Sequence, residues 1–348
     1  MENPTTIAVD LAKAFFQVSV STAPGRVSER KRLSRAKFVS FLMQQSPAEI
    51  VMEACGSAHY WARTARELGH QPVLLPAHYT AKYVLRNKHD RADADAILEA
   101  RRREAIRPIP IKTVEQQAIA FIHRMRSGWI QTRTARINAM RAIFRELGKV
   151  IPAGPRNVLP HLPDLMADIP GALHPCLLAI ADEIRLLEAH IKDAEHQIKT
   201  LLADSDGARS LQSVPGIGLI TCSAMIASVG SPSRFRSCRA YASYFGITPK
   251  EHSSGAKRRL GAINKEGDRY LRTLLIHGAR AVLLAARRSK NPDRLHTWAL
   301  HVHDRRGHNR ATVALANKIA RIAWAVWSKD TLYQSLPATA PARATAAN

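Results

Sequence analysis

The first third of the chain contains short runs of β-forming residues bounded by turn residues. A helical pattern near 35–45 lies between the third and fourth of these runs, and another near 59–68 lies between the fourth and fifth. The five runs are Thr6 to Asp10, Phe16 to Ser21, Val27 to Leu33, Glu49 to Glu53 and Gln71 to Leu75. Three strands in succession, followed by alternating strands and helices, predict a mixed α/β domain. An alanine-rich stretch, Ala92 to Glu104, predicts a further helix.

In the middle of the chain, apolar residues recur in steps of three and four, which is the period of an amphipathic helix. A first such stretch comprises Ile122, Met125, Trp129, Ile137, Met140, Phe144 and Leu147. After an interruption rich in proline and glycine at 152–175, a second comprises Ile184, Leu187, Ile191, Ala194, Ile198 and Leu201. This second stretch predicts a coiled-coil seam. A seam this short fits a helical hairpin within one chain as well as a contact between two chains.

Helical patterns also dominate the last third, as at Tyr270 to Arg287 and Ala311 to Trp327, before a low-complexity end, PATAPARATAAN. Such an end has too few large apolar residues to pack, so we expect it to be disordered. The predicted organisation is an α/β domain at 1–112, a helical coiled-coil segment at 113–204, a mainly α-helical domain at 205–335 and a tail at 336–348.

Charge narrows the range of partners. The 348 residues include 52 lysines and arginines against 28 aspartates and glutamates, for a net charge of +24. A surface this basic favours a polyanionic partner. Because no apolar stretch approaches the roughly 18 residues that would span a bilayer, nucleic acid is favoured over a membrane. The N-terminal residues lack the pattern of a secretory signal, and we expect a cytoplasmic protein.

The four cysteines, Cys55, Cys176, Cys222 and Cys238, are widely spaced. They form no C-x-x-C pair and have no nearby histidine at zinc spacing, so neither a disulfide framework nor a structural zinc site is indicated. We expect all four to be reduced and mostly buried.

Four acidic residues of the first domain stand at the ends of predicted elements. Asp10 and Glu53 end strands, whereas Asp90 and Asp93 lie three residues apart at the start of a helix and share one of its faces. Such carboxylates can supply the oxygen ligands of two Mg²⁺ or Mn²⁺ ions for phosphoryl transfer. Any one aspartate alone is more often a cap. The four together, on this order of strands and helices, favour a ribonuclease-H-like metal site.

Two glycines, Gly216 and Gly218, lie in the turn LQSVPGIG before a predicted helix. Such a turn exposes backbone N–H groups at a helix N-terminus, where a nucleic-acid phosphate can bind. A tight turn between two helices has the same composition and is the more frequent reason for it.

A basic loop further along carries two serines before a glycine, in GITPKEHSSGAKRRLGAINKEGDRYLR. The hydroxyl of Ser254 would lie among cations able to hold a phosphate, which is the environment that a serine nucleophile needs. These cations are Lys257, Arg258, Arg259 and Lys265. Serine before glycine is also ordinary turn composition, so spacing alone favours a turn residue over a catalytic one.

Together these motifs resemble the DEDD transposases of bacterial insertion sequences, which are also called bridge recombinases. The resemblance covers nearly the whole chain and rests on VDLAK, MEACGSAHYW, NKHDRADADAILEA, SVPGIG, the S-S-G segment above and ATVALANKIARIAWAV, in that order. It implies a ribonuclease-H-like (RuvC-like) N-terminal domain, a coiled-coil segment and a mainly α-helical C-terminal transposase domain. It also implies a homo-oligomer, from dimer to tetramer, that acts on donor and target DNA with a structured bridge RNA.

Carried over by motif, the family's metal ligands fall on Asp10 in VDLAK, Glu53 in MEACGS, and Asp90 and Asp93 in HDRADA, with Mg²⁺ or Mn²⁺ as the bound ion. Asp95 is the alternative ligand if the register of the last pair shifts. The serine that becomes joined to DNA falls on the one immediately before glycine.

The predicted function is therefore transposition by transesterification. Ser254, or alternatively Ser253, attacks a DNA phosphorus, and a hydroxyl of the partner strand later resolves the phosphoserine link. A rival enzyme is a RuvC-like junction nuclease, in which metal-activated water attacks. A rival without catalysis is a nucleic-acid-binding protein whose carboxylates are structural. Of the three, only the transposase would form a covalent adduct with DNA.

Overall fold

The computed structural model describes residues 5–23, 26–83, 90–203, 205, 207–254, 257 and 259–337, except for the side chains of 90–92. The chain forms two compact units, Met1–Thr113 and Val114–Asn348. No helix in the described ranges is long and apolar enough to cross a lipid bilayer. The prediction of a disordered tail falls almost entirely on residues 338–348, which lie outside those ranges.

A five-stranded mixed sheet organises the described part of the first unit. Its strands are β1 (Thr6–Leu11), β2 (Phe15–Ser21), β3 (Glu29–Ser34), β4 (Glu49–Glu53) and β5 (Gln71–Leu75), in the spatial order β3-β2-β1-β4-β5. Strand β2 is antiparallel to both of its neighbours, whereas β1, β4 and β5 are parallel to one another. The five strands lie where the sequence pattern predicted them, and the mixed α/β architecture is compatible with a ribonuclease-H-like domain.

Helices cover both faces of this sheet: α1 (Arg35–Met43), α2 (Ala58–Glu67), α3 (Ala77–Thr80), α4 (Asp90–Arg101) and a 3₁₀ turn at Ala81–Tyr83. On one face, Val9 belongs to a core with Phe38 of α1 and Trp61 of α2. On the other face, Ala8 packs with Ile97 of α4. Successive residues of β1 thus serve opposite cores, as the two-residue period of a strand requires.

The second unit begins with two long helices that pack against each other, α5 (Val114–Glu146) and α7 (His174–Leu202). Ion pairs join them along their length: Arg126 to Glu195, Arg133 to Glu188 and Arg136 to Glu183. Residue numbers rise along one helix as they fall along the other, so the two helices are antiparallel. The predicted seam therefore packs within the chain as a helical hairpin. Its last buried position is Leu202, since Leu201 is exposed.

Between these two helices in the chain lies α6 (Val158–Met166), which the sequence pattern did not predict. It is flanked by 3₁₀ turns at Pro155–Asn157 and Gly171–Leu173. Val158 and Leu162 of α6 pack in a core with Phe144 of α5. Helix α6 has Pro163 in its interior, and prolines and glycines surround it. Because proline and glycine disfavour helices, this composition predicted a break, although the apolar spacing of α6 fits a helix that packs on the hairpin.

The remainder of the second unit is mainly helical and shares one apolar core. Its helices are α8 (Ala208–Gln212), α9 (Leu219–Val229), α10 (Cys238–Tyr244), α11 (Arg269–Arg288), α12 (Arg294–Arg306) and α13 (His308–Ser328), with a 3₁₀ turn at Pro232–Arg234. The antiparallel strands β6 (Pro249–Glu251) and β7 (Leu260–Ile263) form a hairpin between the helices. The sequence pattern predicted only a basic loop there.

The expectation that the cysteines are mostly buried is wrong. Cys222 is buried and Cys238 is half-buried, but Cys55 and Cys176 are exposed. All four are free thiols. Burial raises the pKa of Cys222 to about 12, because desolvation disfavours the thiolate.

Candidate active site and nucleic-acid interface

Asp10 and Glu53 lie side by side on the parallel strands β1 and β4. The register pairs Val9 with Met52, so the next residue on each strand brings Asp10 opposite Glu53, at the usual strand spacing of roughly 4.8 Å. Because side chains alternate along a strand, both carboxylates point to the face on which Ala8 packs against α4. Both residues are half-buried, so they are partly shielded from water yet still accessible.

The Glu53 carboxylate has a partner in the short helix α3. Thr80 is buried, and its hydroxyl donates a hydrogen bond to Oε2 of Glu53 at 2.5 Å. Hydrogen bonds of this kind orient carboxylates that bind metal ions. Thr80 was not predicted from the sequence, since a threonine 27 positions from its partner leaves no periodic pattern.

Helix α4 directs its first turns to the same end of the sheet. Arg101, in its last turn, binds both carboxylate oxygens of Glu49 at the start of β4, with N–O distances of 2.7 to 3.0 Å. Helix α4 therefore runs antiparallel to β4, and Asp93 near its start lies toward the carboxyl end of that strand. Asp93 also stands one turn before Ile97, which packs on the sheet. Both therefore lie on the sheet-facing side of the helix.

Asp95, the alternative ligand, is bound to two other strands. Its carboxylate accepts a hydrogen bond from the Ser19 hydroxyl of β2 at 2.7 Å and pairs with Arg30 of β3 at 2.9 Å. The same carboxylate raises the pKa of Arg30. These contacts favour Asp93 over Asp95 as the ligand. Helix α4 begins at Asp90, whose side chain lies outside the described residues.

The carboxylates offer a donor set that suits a hard divalent cation. Asp10, Glu53 and Asp93 present only carboxylate oxygens, the ligands that Mg²⁺ and Mn²⁺ prefer. Among the described side chains, no three His, Cys, Asp or Glu residues lie close enough together to hold a metal ion. Asp90 is not among these side chains. The four-carboxylate site therefore stays a prediction, which the strand register and the direction of α4 support.

In the second unit, the tip of the β6–β7 hairpin carries the two serines. Ser254 and Lys257 form an isolated antiparallel bridge, in which the Lys257 amide donates to the Ser254 carbonyl at 3.3 Å. The Ser253 hydroxyl donates to Oε1 of Glu251 at 2.7 Å and accepts from the backbone N–H of Arg259 at 3.1 Å. Ser253 is thus bound into the hairpin. Glu251 and Ser253 are two positions apart, so this contact is local in sequence.

Ser254 has different surroundings. It is exposed, and no described residue hydrogen-bonds to its hydroxyl. Lys257 and Arg259 beside it are also exposed, whereas Arg258 lies outside the described residues. An accessible hydroxyl beside cations can approach a phosphodiester, which favours Ser254 over Ser253 as the nucleophile.

Lys265 lies in the connection from the hairpin to α11 and is exposed. Its backbone is left-handed, with a φ of 59°. Its amide donates to the Gly246 carbonyl at 3.2 Å, and its own carbonyl accepts from Arg272 at 3.0 Å. These contacts anchor the connection on both sides of Lys265 and leave its ammonium group to solvent or to an anion.

Gly216 and Gly218 differ in their surroundings. Gly216 has a φ of +86° and packs so closely on α11 that a Cβ at Gly278 would lie 2.0 Å from its carbonyl oxygen. A Cβ at Gly218, the N-cap of α9, would meet open space. Close packing thus accounts for Gly216, whereas phosphate binding at Gly218 stays a prediction.

Two family models match the chain, and each covers one of the two candidate sites. Residues 7–148, which include the sheet with its carboxylates, match the model for DEDD transposases of IS110 elements, described as "Transposase". Residues 208–294, which include the hairpin with Ser254, match the "Transposase IS116/IS110/IS902 family".

Similar proteins align over nearly the full length. The "Probable family 20 transposase" of Pseudomonas aeruginosa is 41% identical over 95% of this chain and 99% of its own length. The "Transposase for insertion sequence element IS1111A" of Coxiella burnetii is 36% identical over 96% and 92%. The corresponding protein of element IS1328 of Yersinia enterocolitica is 34% identical over 96% and 99%. By its matched motifs and its full-length similarity, the chain belongs to the IS110-type DEDD family of insertion-sequence transposases.

Proposed function

We propose that this transposase cuts and rejoins DNA through a covalent phosphoserine intermediate at Ser254. The observation that carries the proposal is the contrast between adjacent serines. Ser253 is hydrogen-bonded within the hairpin, whereas Ser254 is exposed beside Lys257 and Arg259. The chemistry needs one such hydroxyl, accessible to DNA and close to positive charge.

The reaction consists of two exchanges that balance. Oγ of Ser254 forms a bond to a DNA phosphorus as the bond from that phosphorus to a deoxyribose oxygen breaks, and the serine proton passes to the leaving oxygen. A hydroxyl of the partner strand then attacks the same phosphorus, displaces Oγ and returns a proton to it. One phosphodiester is lost and one is gained, so no nucleotide cofactor is consumed. Lys257 and Arg259 offset the negative charge that develops on the phosphate.

Asp10, Glu53, Asp90 and Asp93 would hold Mg²⁺ or Mn²⁺. A bound divalent ion would supply Lewis-acid stabilisation of charge on the phosphate oxygens. The protein positions the first two carboxylates through the parallel register of β1 and β4, and it orients Glu53 through the Thr80 hydroxyl. Asp93 is directed to the same end of the sheet by α4.

The proposed partners are donor and target DNA, a structured bridge RNA that pairs with both, and further copies of the chain, from dimer to tetramer. The net charge of +24 supports nucleic acids as partners. The family resemblance supports the RNA and the oligomer, in which the serine of one copy would act with the carboxylates of another.

Replacing Ser254 with alanine tests the nucleophile. Ser254→Ala removes one exposed oxygen, so stability should change by no more than about 0.5 kcal/mol. We expect normal DNA binding, no covalent adduct on a denaturing gel, and recombination reduced on the order of a thousandfold or more. Ser254→Cys should also be severely impaired, because it changes the size of the nucleophile and its affinity for metal.

Ser253→Ala is the matched control and should still form the adduct. An adduct that forms with Ser254→Ala but not with Ser253→Ala would move the nucleophile to Ser253. If the unaltered protein cleaves DNA without forming any adduct, the junction nuclease is the better description.

A further inference from the structure

A large groove in the second unit has two walls of different character. It lies between the β6–β7 hairpin on one side and helices α12 and α13 on the other, with a volume of about 1360 Å³. Pockets for small molecules have volumes of roughly 300–1,000 Å³. The size of this groove therefore suits a segment of a polymer better than a single small ligand.

The helical wall carries all the cations that line the groove, set among apolar residues such as Val302, Val313 and Ile322. Arg310, Lys318 and Arg321 lie on one face of α13, and Arg306 ends α12. Arg310 and Arg321 are eleven residues apart, which is roughly 16 Å along a helix. The lining residues include no Asp or Glu, and none of these four cations forms an ion pair with a described residue. Their charge thus has no counterpart in the described part of the protein.

Lys318 is held within the groove by an aromatic ring. Its Nζ lies 3.9 Å from the centre of the Trp298 ring. Burial lowers the pKa of Lys318, and the charges of Arg294 and Arg321 lower it further. An anion in the groove would relieve this repulsion and favour the charged ammonium. A nucleic-acid phosphate is an anion of the required kind.

The hairpin wall is apolar instead. It is formed by Pro249, Leu260, Ala262 and Ile263 of the two strands, and Leu260 is 51% exposed. A duplex stacks its bases inside and presents charged backbones outward, so it would leave such a wall uncovered. A single strand carries phosphates on one side and unpaired base faces on the other, and apolar side chains can pack against those faces. The two walls therefore match the two sides of a single strand.

We propose that this groove binds a single nucleic-acid strand, with phosphates along α13 and unpaired bases against the β6–β7 hairpin. The inference rests on the proposed function, because the hairpin that forms the apolar wall carries Ser254 at its tip. A strand held in the groove would lie on the same hairpin as the nucleophile.

Binding is measured in the full chain carrying Ser254→Ala, so that failure of the serine chemistry leaves the assay intact. Fluorescence anisotropy reports affinity for a labelled single strand and for its duplex at several salt concentrations. In Arg310→Ala/Lys318→Ala/Arg321→Ala, single-strand affinity should fall at least about tenfold. The slope of log K against log salt should decrease by about 2, because each phosphate contact contributes ~0.7 on a single strand.

The matched control, Arg280→Ala/Arg288→Ala/Lys290→Ala, removes the same charge from exposed positions outside the groove. It should change single-strand affinity less than about twofold. Leu260→Ser tests the apolar wall and should weaken single-strand binding without changing the salt slope. Circular dichroism verifies that each variant is folded.

The proposal would be overturned if the triple variant of the groove (the groove triple) and the triple control variant weakened single-strand binding equally. An equal loss of duplex and single-strand binding would also overturn it, as would unchanged single-strand affinity in both the groove triple and Leu260→Ser. Strands of DNA and RNA with the same sequence are compared in parallel, and the tighter binder identifies the strand that the groove accepts.

Discussion

Residues of the same type that are close in sequence have different environments in both candidate sites. Asp93 and Asp95 are two positions apart on α4, yet Asp95 is bound to β2 and β3 while Asp93 stands in line with the residue that packs on the sheet. Ser253 and Ser254 are adjacent, yet of the two only Ser253 has side-chain hydrogen bonds to described residues of the hairpin. Two positions along a helix turn a side chain to a different side. The two serines differ because the Ser253 hydroxyl contacts Glu251 and the Arg259 amide.

Substitution of the two aspartates separates the metal site from the structural contact. Asp95→Asn removes the charge that pairs with Arg30, and because this pair is largely exposed, it should cost about 0.5–1 kcal/mol of stability. DNA cleavage should persist. Asp93→Asn should leave the melting temperature nearly unchanged and reduce Mg²⁺-dependent cleavage of a labelled element end on the order of a hundredfold or more. The opposite pattern would shift the metal ligand to Asp95.

At the level of elements, a buried polar contact joins three helices of the second unit. Nδ1 of His123 on α5 lies 3.0 Å from the Tyr270 hydroxyl of α11, and its Nε2 lies 2.9 Å from the Ser223 hydroxyl of α9. Burial lowers the pKa of His123 to about 4, with a further contribution from Arg126, while Asp268 opposes the shift. The folded unit therefore holds a neutral imidazole at this junction.

This contact predicts a pH dependence of stability. Since the pKa of His123 is lower in the folded chain, the unfolded chain takes up the proton first as the pH falls below 6.5. The contribution of the neutral His123 to the free energy of unfolding is complete above pH 6.5. It is lost as the pH falls toward 4, and the loss amounts to a few kcal/mol at most. We expect the urea midpoint, followed by circular dichroism, to decrease from pH 7 to pH 5. His123→Gln should unfold at lower urea at pH 7 but show a flatter dependence; parallel curves would exclude His123 as the cause.

At the level of the whole molecule, basic residues exceed acidic ones by 24. Such an excess attracts the phosphate backbone irrespective of base sequence, and binding then releases the counterions of the nucleic acid. The exposed cations near Ser254 and those of the α13 groove belong to this excess.

Binding to an unrelated DNA duplex should therefore weaken on the order of a thousandfold as salt rises from 0.05 to 0.2 M. Filter binding or anisotropy over that range measures the effect, with glutamate in place of chloride to distinguish anion-specific effects. Affinity that does not change with salt would contradict a mainly electrostatic interaction with the backbone.

The sequence by itself determined the features that depend on local spacing and composition. Strands β4 and β5 match their predicted limits, and α11 and α13 match within a few residues, because periods of two and 3.6 residues are visible in neighbouring positions. Helix α5 follows the predicted apolar stretch to Glu146 but begins at Val114, well before Ile122. The net charge and the order of motifs that indicated the family are likewise properties of the sequence alone. The sequence predicted that Asp10 and Glu53 both end strands. The register that brings Asp10 beside Glu53 is set only when the two strands pair in the sheet.

Only the tertiary structure decided which side chains meet. Arg30 and Asp95 are 65 positions apart, and nothing local predicts their contact. Helix α6 and the β6–β7 hairpin contain proline, glycine or many charges, so their local preferences are weak, and packing against neighbouring elements determines their conformation. By spacing alone, the seam of α7 fits a helix of the same chain as well as a helix of another copy. In the folded chain it packs on α5, and ion pairs between residues more than forty positions apart join the two helices. Contacts of this range depend on how whole elements pack, and that arrangement is a property of the folded chain.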